Sequence, residues 1–322
     1  MNNNVAPSAP YTRRPPSPPQ LHVPVLYQAR KSGHGAQFVL APSYENVDPS
    51  QLTTEDLAII TRNETKLVAP NMAGNWLYEQ RRQAQRILDF LYIGPNAVVR
   101  DLAFLEREAI TMIIVARDSR LAGRNLLSVD NATRALGIVG RYVDVGSPQG
   151  LIHGFPNNIR DINDHLVSVY HKNSRDENGR VLLDPSSVVR GKVLVTCESG
   201  NELSPAIVAA YIMSVFGQDM ASALQFISVQ RFCVCFDEGM KRLLLSWEDI
   251  LRARASVAKS RTPVSGQLAT ASKGKRGLDQ LRDEQEGADS SGDAMDCDRF
   301  HGRDAFVPFV DLPKPPDKPG KA

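Results

Sequence analysis

The sequence predicts an α/β domain with a central, mostly parallel sheet flanked by helices. Apolar, β-branched runs alternate with segments of helical spacing, and the alternation ends in a run of helices. Polar and proline-rich stretches bound this pattern on both sides and cannot bury a core. We therefore expect a proline-rich, mostly disordered region over 1–70, a folded domain over 75–255 and a disordered tail over 256–322.

The first half of the chain contributes a short helix and then strands. The segment "TTEDLAIITRNE" predicts that helix, with its N-cap at Thr53 or Thr54. From Trp76 onwards the secondary-structure pattern is clearer, because runs of β-branched residues alternate with turn signals. The predicted order from there is strand, turn, helix and two strands, at Ile87–Ile93, Gly94–Pro95, about Val98–Glu108, Thr111–Ala116 and a strand that ends near Val145.

The second half predicts one buried strand among helices. The segment "FPNNIRDINDHLVSVYHK" has helical spacing with Pro156 in the first turn, and the polar stretch Asn173–Gly191 predicts a surface loop. The run "KVLVTC" predicts a fully buried strand. For the helix that follows we predict Ser204 as N-cap, Pro205 as the first residue and Gly217 as the stop. Two more helices are predicted at about Met220–Gln230 and Glu238–Ala255.

Composition excludes several classes of protein. A formal net charge of +2 argues against a nucleic-acid-binding protein. We see neither a signal peptide nor an apolar run of the ~20 residues that span a bilayer. Because four scattered cysteines form no disulfide framework, we expect reduced thiols and a location in the cytoplasm, the nucleus or both. The spacing of Cys233 and Cys235 predicts packing rather than zinc ligation, and no cofactor or metal is expected.

The stretch "VLVTCESGNELSP" has the order strand, loop and helix, with Cys197 as the last residue of the strand. In such a loop successive backbone N–H groups and the helix dipole can bind an anion. An arginine six residues after the cysteine would bind two phosphate oxygens and stabilise the thiolate nucleophile. A carboxylic acid from a separate loop would then protonate the leaving group. The stretch therefore predicts the scaffold of a cysteine-dependent phosphatase.

The flanking segments resemble those of dual-specificity phosphatases, and in particular the STYX-type pseudophosphatases (serine/threonine/tyrosine-interacting proteins). The resemblance rests on "NWLYEQRRQAQRILDFLYIGP", on "KVLVTCESG" and on the segment from "SPAIVAAYIMSVFG" to "QRFCVCFDEGMKRLLLSWEDI". It covers roughly Asn75 to Ala255. It implies a cysteine-phosphatase-like α/β fold.

The resemblance also implies which loop positions this chain retains. Cys197 stands at the nucleophile position, and Ser199 and Gly200 lie in the degenerate phosphate loop. Ser204 matches the hydroxyl that assists the cysteine as a leaving group in active relatives. STYX-type proteins usually lose the cysteine itself, so this chain departs from that pattern.

Three other functional positions are lost. The histidine position before the cysteine is Thr196, and the arginine position is Leu203. The general-acid loop should follow the strand "YVDV", where we place the acid position at Ser147, because Asp144 lies too early, at the strand end. The resemblance therefore implies that arginine, acid and histidine are all missing.

Charge is expected to oppose phosphate as well. Glu198 and Glu202 flank the place where a dianion would bind. At ~5 Å and an effective dielectric constant near 20, each unit-charge contact would cost roughly 3 kcal/mol. The N–H groups and the helix dipole, at ~1–2 kcal/mol together, would not offset this cost. We also expect Cys197 to keep a pKa at or above ~8.5 and to remain mostly thiol.

Three functional hypotheses follow. The first is a catalytically inactive pseudophosphatase that acts as a binding or scaffold module in phosphorylation signalling. The second is a weak phosphatase that uses Cys197 with an arginine from elsewhere, Arg231 or the pair Arg81–Arg82. The third is a thiol redox sensor in which Cys197 is oxidised or pairs with Cys233 or Cys235.

The resemblance implies protein partners among phosphoproteins, mitogen-activated protein kinase pathways or ubiquitin-ligase adaptors, without indicating which. The first 35 residues predict foremost a solvated tail, with a docking peptide for SH3 or WW modules or a kinase site at Ser17 as alternatives. The segment "DAFVPFVDL" could dock on this chain or on a partner.

Overall fold

The computed structural model describes residues 19–24, 37–44, 47, 52–70, 72, 75–174 and 188–261. Several predictions lie outside these residues: the kinase site at Ser17, most of the surface loop Asn173–Gly191, the segment "DAFVPFVDL" and the tail from residue 262. The helix predicted to end near Ala255 continues to Arg261.

A five-stranded sheet forms the centre of the fold, and a two-stranded antiparallel ribbon accompanies it. The seven strands are β1 (Gln37–Leu40), β2 (Leu67–Pro70), β3 (Gln85–Leu88), β4 (Leu91–Pro95), β5 (Met112–Asp118), β6 (Val139–Val145) and β7 (Val193–Cys197). Strands β1 and β2 make the ribbon, and the sheet has the order β3-β4-β7-β5-β6. Only the β3–β4 pair of the sheet is antiparallel. The predicted α/β class with a mostly parallel sheet is confirmed.

Seven α-helices complete the described fold. They are α1 (Thr54–Thr61), α2 (Leu102–Arg107), α3 (Leu127–Leu136), α4 (Pro148–Asn173), α5 (Leu203–Val215), α6 (Met220–Gln230) and α7 (Glu238–Arg261). Helix α5 packs on β7 and is nearly buried all round, as its continuous apolar sequence requires. Helices α4, α6 and α7 surround α5, and Trp247 of α7 meets Phe155 of α4 edge-on at 5.4 Å between ring centroids. Strand β7 is therefore buried on both faces at the middle of the sheet.

The start of α4 differs from the prediction. Ser147 is the N-cap, its Oγ accepting a hydrogen bond from the Gly150 N–H at 3.1 Å, and Pro148 occupies the first turn. Pro156, predicted in the first turn, lies inside the helix. The sequence contains two prolines compatible with a helix start, and the capping serine favours the earlier one.

The start of α5 differs as well. Ser204, predicted as the N-cap, lies inside the first turn, while Glu202 holds the cap position without a side-chain hydrogen bond. Gly217 follows the helix with a φ of +61°, as a C-terminal stop requires. The prediction of Gly217 is correct and that of the Ser204 cap is wrong, because the Ser204 hydroxyl is directed to Cys197 instead.

The structure adds elements that the sequence did not reveal. The β1–β2 ribbon contacts α6, and Leu40, Ile60 and Leu67 join the main hydrophobic core. Thr53 caps α1 as predicted. Helix α3, which sequence reasoning missed, packs beside β6. These ordered residues precede the predicted start of the domain at residue 75, so the core draws on part of the region 1–70.

Part of the proline-rich segment also contacts the domain. Pro19 to Pro24 run along α6 and α7, and Val23 packs against the main core. For these six residues the predicted solvated tail is replaced by an attached segment.

Candidate functional site

The site is the loop between β7 and α5. Cys197 is the last residue of β7, and its neighbour in the register is Pro95 at the end of β4. Ligands of open α/β sheets bind at the carboxyl ends of the parallel strands, and the loop lies at that edge. Leu203 begins α5, so the loop comprises residues 198–202.

Cys197 and Ser204 face each other at the base of the loop. Both side chains are buried, and Cys197 Sγ lies 3.2 Å from Ser204 Oγ. Thr196, at the lost histidine position, is fully buried, and its hydroxyl donates to the Ile114 carbonyl at 3.3 Å. The structure therefore brings together the retained thiol and the retained hydroxyl and places Thr196 as a packing residue of β7.

Gly200 is required by the path of the loop. Its φ is +73°, and a Cβ there would lie 2.6 Å from the Gly94 carbonyl carbon and 2.7 Å from the Pro95 nitrogen. A side chain would thus meet both a strained conformation and the backbone of β4. The close approach ties the loop to the end of β4.

The backbone N–H groups of the loop are largely unused. The Asn201 N–H donates to Ser199 Oγ at 3.2 Å. Among the hydrogen bonds of the described residues, none takes the N–H of Glu198, Gly200 or Leu203. Free N–H donors ahead of a helix N-terminus are among the elements that an anion-binding loop needs.

The carbonyl groups of the loop, in contrast, contact Arg231. This buried arginine follows α6 and makes six hydrogen bonds, to the carbonyls of Arg81, Gln83, Ser199 and Gly200 and to the side chains of Gln85 and Asn201. The bonds to the Gly200 and Ser199 carbonyls measure 2.9 and 3.2 Å. Within the described part of the chain no carboxylate pairs with Arg231. Carbonyl dipoles therefore solvate the buried cation.

Burial lowers the pKa of the Arg231 guanidinium from its ordinary value, and the neighbouring Cys233 and Cys197 thiols partly offset this effect. Arginine still keeps its proton in proteins. Because its five N–H groups are already engaged, Arg231 has none left for a phosphate. Sequence reasoning offered Arg231 as a substitute catalytic arginine, whereas the structure makes it the support of the loop.

The arginine pair proposed as the other substitute, Arg81–Arg82, differs in burial and in contacts. The Arg81 guanidinium stacks on the Tyr78 ring at 4.0 Å from its centroid, and Arg82 is exposed. Neither side chain forms a hydrogen bond to the loop among the described contacts. The position six residues after the cysteine holds Leu203, which is half-buried and packs against the main core.

The two loop glutamates are exposed, so they repel a bound phosphate less than the sequence predicts. Solvent surrounds both Glu198 and Glu202. Water screens exposed charges, so their repulsion of a bound phosphate is weaker than the estimate made from sequence. The lack of a cation at Leu203 therefore weakens phosphate binding more than the two negative charges do.

The position of the general acid has no loop to hold it. Strand β6 ends at Val145 and α4 begins at Pro148, so the connection has two residues, of which Ser147 is the helix cap. The nearby Asp144 accepts a hydrogen bond from Arg117 Nε at 2.5 Å, and the Arg117 guanidinium lies over the Tyr142 ring. Asp144 thereby joins β6 to β5 and is engaged in an ion pair.

Of the remaining cysteines, Cys233 is half-buried and offers little thiolate. Burial raises the pKa of the Cys233 thiol, although Arg231 and Arg81 counteract part of this shift, and the thiol donates to Asn201 Oδ1 at 3.2 Å. Cys235 is exposed. The three cysteines of the described residues are free thiols. Within the same residues, no cluster of three or more His, Cys, Asp or Glu could hold a metal, and no helix has the length and hydropathy to cross a bilayer.

Comparison with known proteins agrees with the resemblance seen in the sequence. The chain is 28% identical to the serine/threonine/tyrosine-interacting protein of Homo sapiens over 189 residues, which are 58% of this chain and 73% of the relative. It is 26% identical to serine/threonine/tyrosine-interacting protein B of Xenopus laevis over 187 residues, with the same coverage. No family model matches the chain.

The structure of human tyrosine phosphatase-like serine/threonine/tyrosine-interacting protein is 26% identical, with a TM-score of 0.41, and covers 52% of this chain and 97% of that one. The structure of DUSP15 is 22% identical, with a TM-score of 0.40, and covers 55% and 96%. The chain is thus similar to the serine/threonine/tyrosine-interacting proteins over 58% of its length.

Proposed function

We propose that this chain is a catalytically inactive pseudophosphatase that serves as a protein-binding module in phosphorylation signalling. One observation carries the proposal. The position that needs a free arginine holds the half-buried Leu203. The neighbouring buried arginine, Arg231, already donates to two carbonyls of the loop and to four other acceptors. Without an available cation the loop lacks the group that would orient a phosphate dianion and stabilise a thiolate.

The position of the general acid supports the same proposal. Hydrolysis by a cysteine phosphatase needs a group that protonates the leaving oxygen. Here Ser147 caps α4, and the carboxylate of Asp144 is paired with Arg117. General-acid catalysis typically contributes 10²–10⁴-fold, so its loss alone would leave at most slow turnover.

A weak phosphatase is the second candidate, and the retained Cys197–Ser204 pair favours it. An aryl phosphate with a good leaving group needs no general acid, so it gives this candidate its best chance. We expect no hydrolysis above that of Cys197→Ala, and no phosphocysteine by mass spectrometry. Hydrolysis that is proportional to protein and disappears in Cys197→Ala would overturn the pseudophosphatase in favour of the phosphatase.

The partners proposed are phosphoproteins, protein kinases or ubiquitin-ligase adaptors, in the cytoplasm, the nucleus or both. The similarity to serine/threonine/tyrosine-interacting proteins supports a role in binding. Affinity purification with the wild-type chain and with Cys197→Ala should recover the same partners, because binding is proposed not to need the thiol. Recovery that depends on Cys197 would point to a covalent or redox mode instead.

A further inference from the structure

Helices α6 and α7 hold the segment Pro19–Pro24 by its main chain. The Leu21 N–H donates to Glu238 Oε2 at 2.8 Å, and Lys241 Nζ donates to the Leu21 carbonyl at 3.0 Å. Lys241 Nζ also lies 2.8 Å from Glu238 Oε1. The carboxylate and the ammonium group therefore clamp both polar groups of one residue, as a neighbouring strand would.

Two more side chains of this surface bind carbonyls at the ends of the segment. Gln225 Nε2 donates to the Pro24 carbonyl at 2.8 Å, and Arg242 donates to the Pro19 carbonyl. We call the surface formed by Gln225, Glu238, Lys241 and Arg242 the α6–α7 face.

The contacts of the α6–α7 face match the chemistry of a proline-flanked peptide. Proline has a carbonyl but no N–H, and the face presents only donors to Pro19 and Pro24. Its acceptor, Glu238, meets Leu21, which has an N–H to give. No polar group of the prolines is left without its partner by this arrangement.

Apolar side chains at alternate positions supply the rest of the contact. Leu21 and Val23 are half-buried, whereas Pro19, Gln20, His22 and Pro24 are exposed. Val23 packs against the main hydrophobic core. Main-chain hydrogen bonds give affinity without sequence preference, so these two apolar side chains set the preference of the face.

The attachment is small compared with the core of the domain. It involves two half-buried side chains and contacts from partly exposed residues of the helices. Such a contact contributes little to global stability, so its removal should leave the fold intact. A segment of the same chain nevertheless competes strongly with other ligands, because its effective concentration is of the order of millimolar.

We propose that the α6–α7 face is a docking site for proline-flanked peptides of partner proteins that carry apolar residues at two alternate positions, and that Pro19–Pro24 occupy it in cis. The proposal deepens the proposed function, since it names a partner class for a binding module. It does not depend on the chemistry of the Cys197 loop.

The test uses the full chain and a fluorescent synthetic peptide with the sequence of residues 17–26, "SPPQLHVPVL". In the variant Leu21→Asp/Val23→Asp the cis segment loses its apolar contacts and should leave the face. Fluorescence anisotropy should then show at least ~10-fold tighter binding of the probe than to the wild-type chain. A probe with aspartate at the positions of Leu21 and Val23 should not bind.

A matched pair of variants locates the binding. In the background of Leu21→Asp/Val23→Asp, Lys241→Ala removes the clamp and should weaken the probe ~5-fold or more. Lys259→Ala removes an exposed positive charge from the same helix away from the clamp and should leave binding unchanged. Equal effects of the two variants would mean non-specific electrostatic attraction and would overturn the proposal.

Two further outcomes would overturn it. Equal affinity of the wild-type chain and the double variant would show that the cis segment does not occupy the site, and the absence of binding to the double variant would leave only an intramolecular strap. A dimer of the double variant that excludes the probe would make a second copy the occupant. If the double variant fails to fold, saturating probe should instead raise the rate of amide exchange at Leu21 of the wild-type chain, whose N–H binds Glu238. An unchanged rate would refute displacement of the segment. None of these outcomes bears on phosphatase turnover.

Discussion

The Cys197 loop has a carbonyl side and an N–H side, and the two have different partners. On the carbonyl side Arg231 binds Ser199 and Gly200 from a fully buried position. On the N–H side the donors of the loop remain unused among the described residues, and Leu203 stands where a cation would meet an anion. The carbonyl side is complete, and the N–H side lacks the side chains that phosphate chemistry needs.

An active phosphatase loop needs both a particular backbone path and particular catalytic side chains, and in this chain the two requirements are separate. The path of the backbone depends on Gly200 and Arg231, and both are present in working geometry. Phosphate chemistry would need a free arginine and an acid at the loop, whereas Leu203 and Ser147 stand at the two predicted positions and Arg231 is engaged. The loop can therefore keep its shape without an arginine or an acid at these positions, because different residues maintain the two properties.

Removing Arg231 should give the largest effect on the carbonyl side. Arg231→Ala removes the guanidinium that donates to six acceptors, of which Asn201 Oδ1 keeps the Cys233 thiol as a donor. The loss of this buried network should lower the free energy of unfolding by about 3–5 kcal/mol. Arg82→Ala removes an exposed arginine and should change it by less than about 0.5 kcal/mol. Denaturant unfolding measures both, and a small effect of Arg231→Ala would show that the loop does not need this support.

A substitution at Gly200 tests the backbone path on the carbonyl side of the loop. Gly200→Ala combines a positive φ with a clash against β4 and should cost about 3 kcal/mol. Gly123 has a similar φ of +78° but no atom within 4 Å of a Cβ, so Gly123→Ala should cost only about 1 kcal/mol. Equal losses for the two variants in thermal unfolding would mean that the contact between the loop and β4 is unimportant.

Leu203 tests the N–H side. Leu203→Arg restores the cation in sequence, but Ser147 and the paired Asp144 still supply no acid. We expect no aryl phosphate hydrolysis above background and a loss of stability of about 1 kcal/mol from the half-buried leucine. Leu203→Lys controls for charge alone. A large gain of turnover from Leu203→Arg would show that one residue separates this loop from an enzyme.

The smallest expected effect is a difference in the alkylation rate of the Cys233 thiol. Burial raises its pKa, so less thiolate is present at neutral pH, and alkylation of this thiol by iodoacetamide should accelerate only at alkaline pH. Cys235 is exposed and serves as the accessible reference thiol. Arg231 favours the thiolate, so Arg231→Met should slow the reaction further wherever the variant remains folded. Faster alkylation of Cys233 than of Cys235 at neutral pH would revive the redox hypothesis.

The sequence predicted the sheet class, β7 and the identities of the loop residues, because hydrophobic periodicity and a local motif encode them. It did not predict what Arg231 binds, since the bonds to Arg81 and Gln83 join residues about 150 positions apart. The only local sign of this role is that Arg231 directly follows a buried helix, and the same position also fits a substitute catalytic arginine. The start of α4 was misplaced because Pro148 and Pro156 both fit a helix N-terminus. The exposure of Glu198 and Glu202 depends on the tertiary fold, which the local sequence does not encode. Solvent screening makes their repulsion of phosphate weaker than the sequence predicts.

The central claim is that the loop keeps its architecture without affinity for phosphate, and titration calorimetry with orthophosphate tests it most directly. N–H groups and a helix dipole worth ~1–2 kcal/mol correspond to dissociation constants far above the millimolar range. We therefore expect no saturable heat up to about 10 mM orthophosphate, for the wild-type chain and for Gly200→Ala alike. Saturable millimolar or tighter binding to the wild-type chain that Gly200→Ala abolishes would contradict the account.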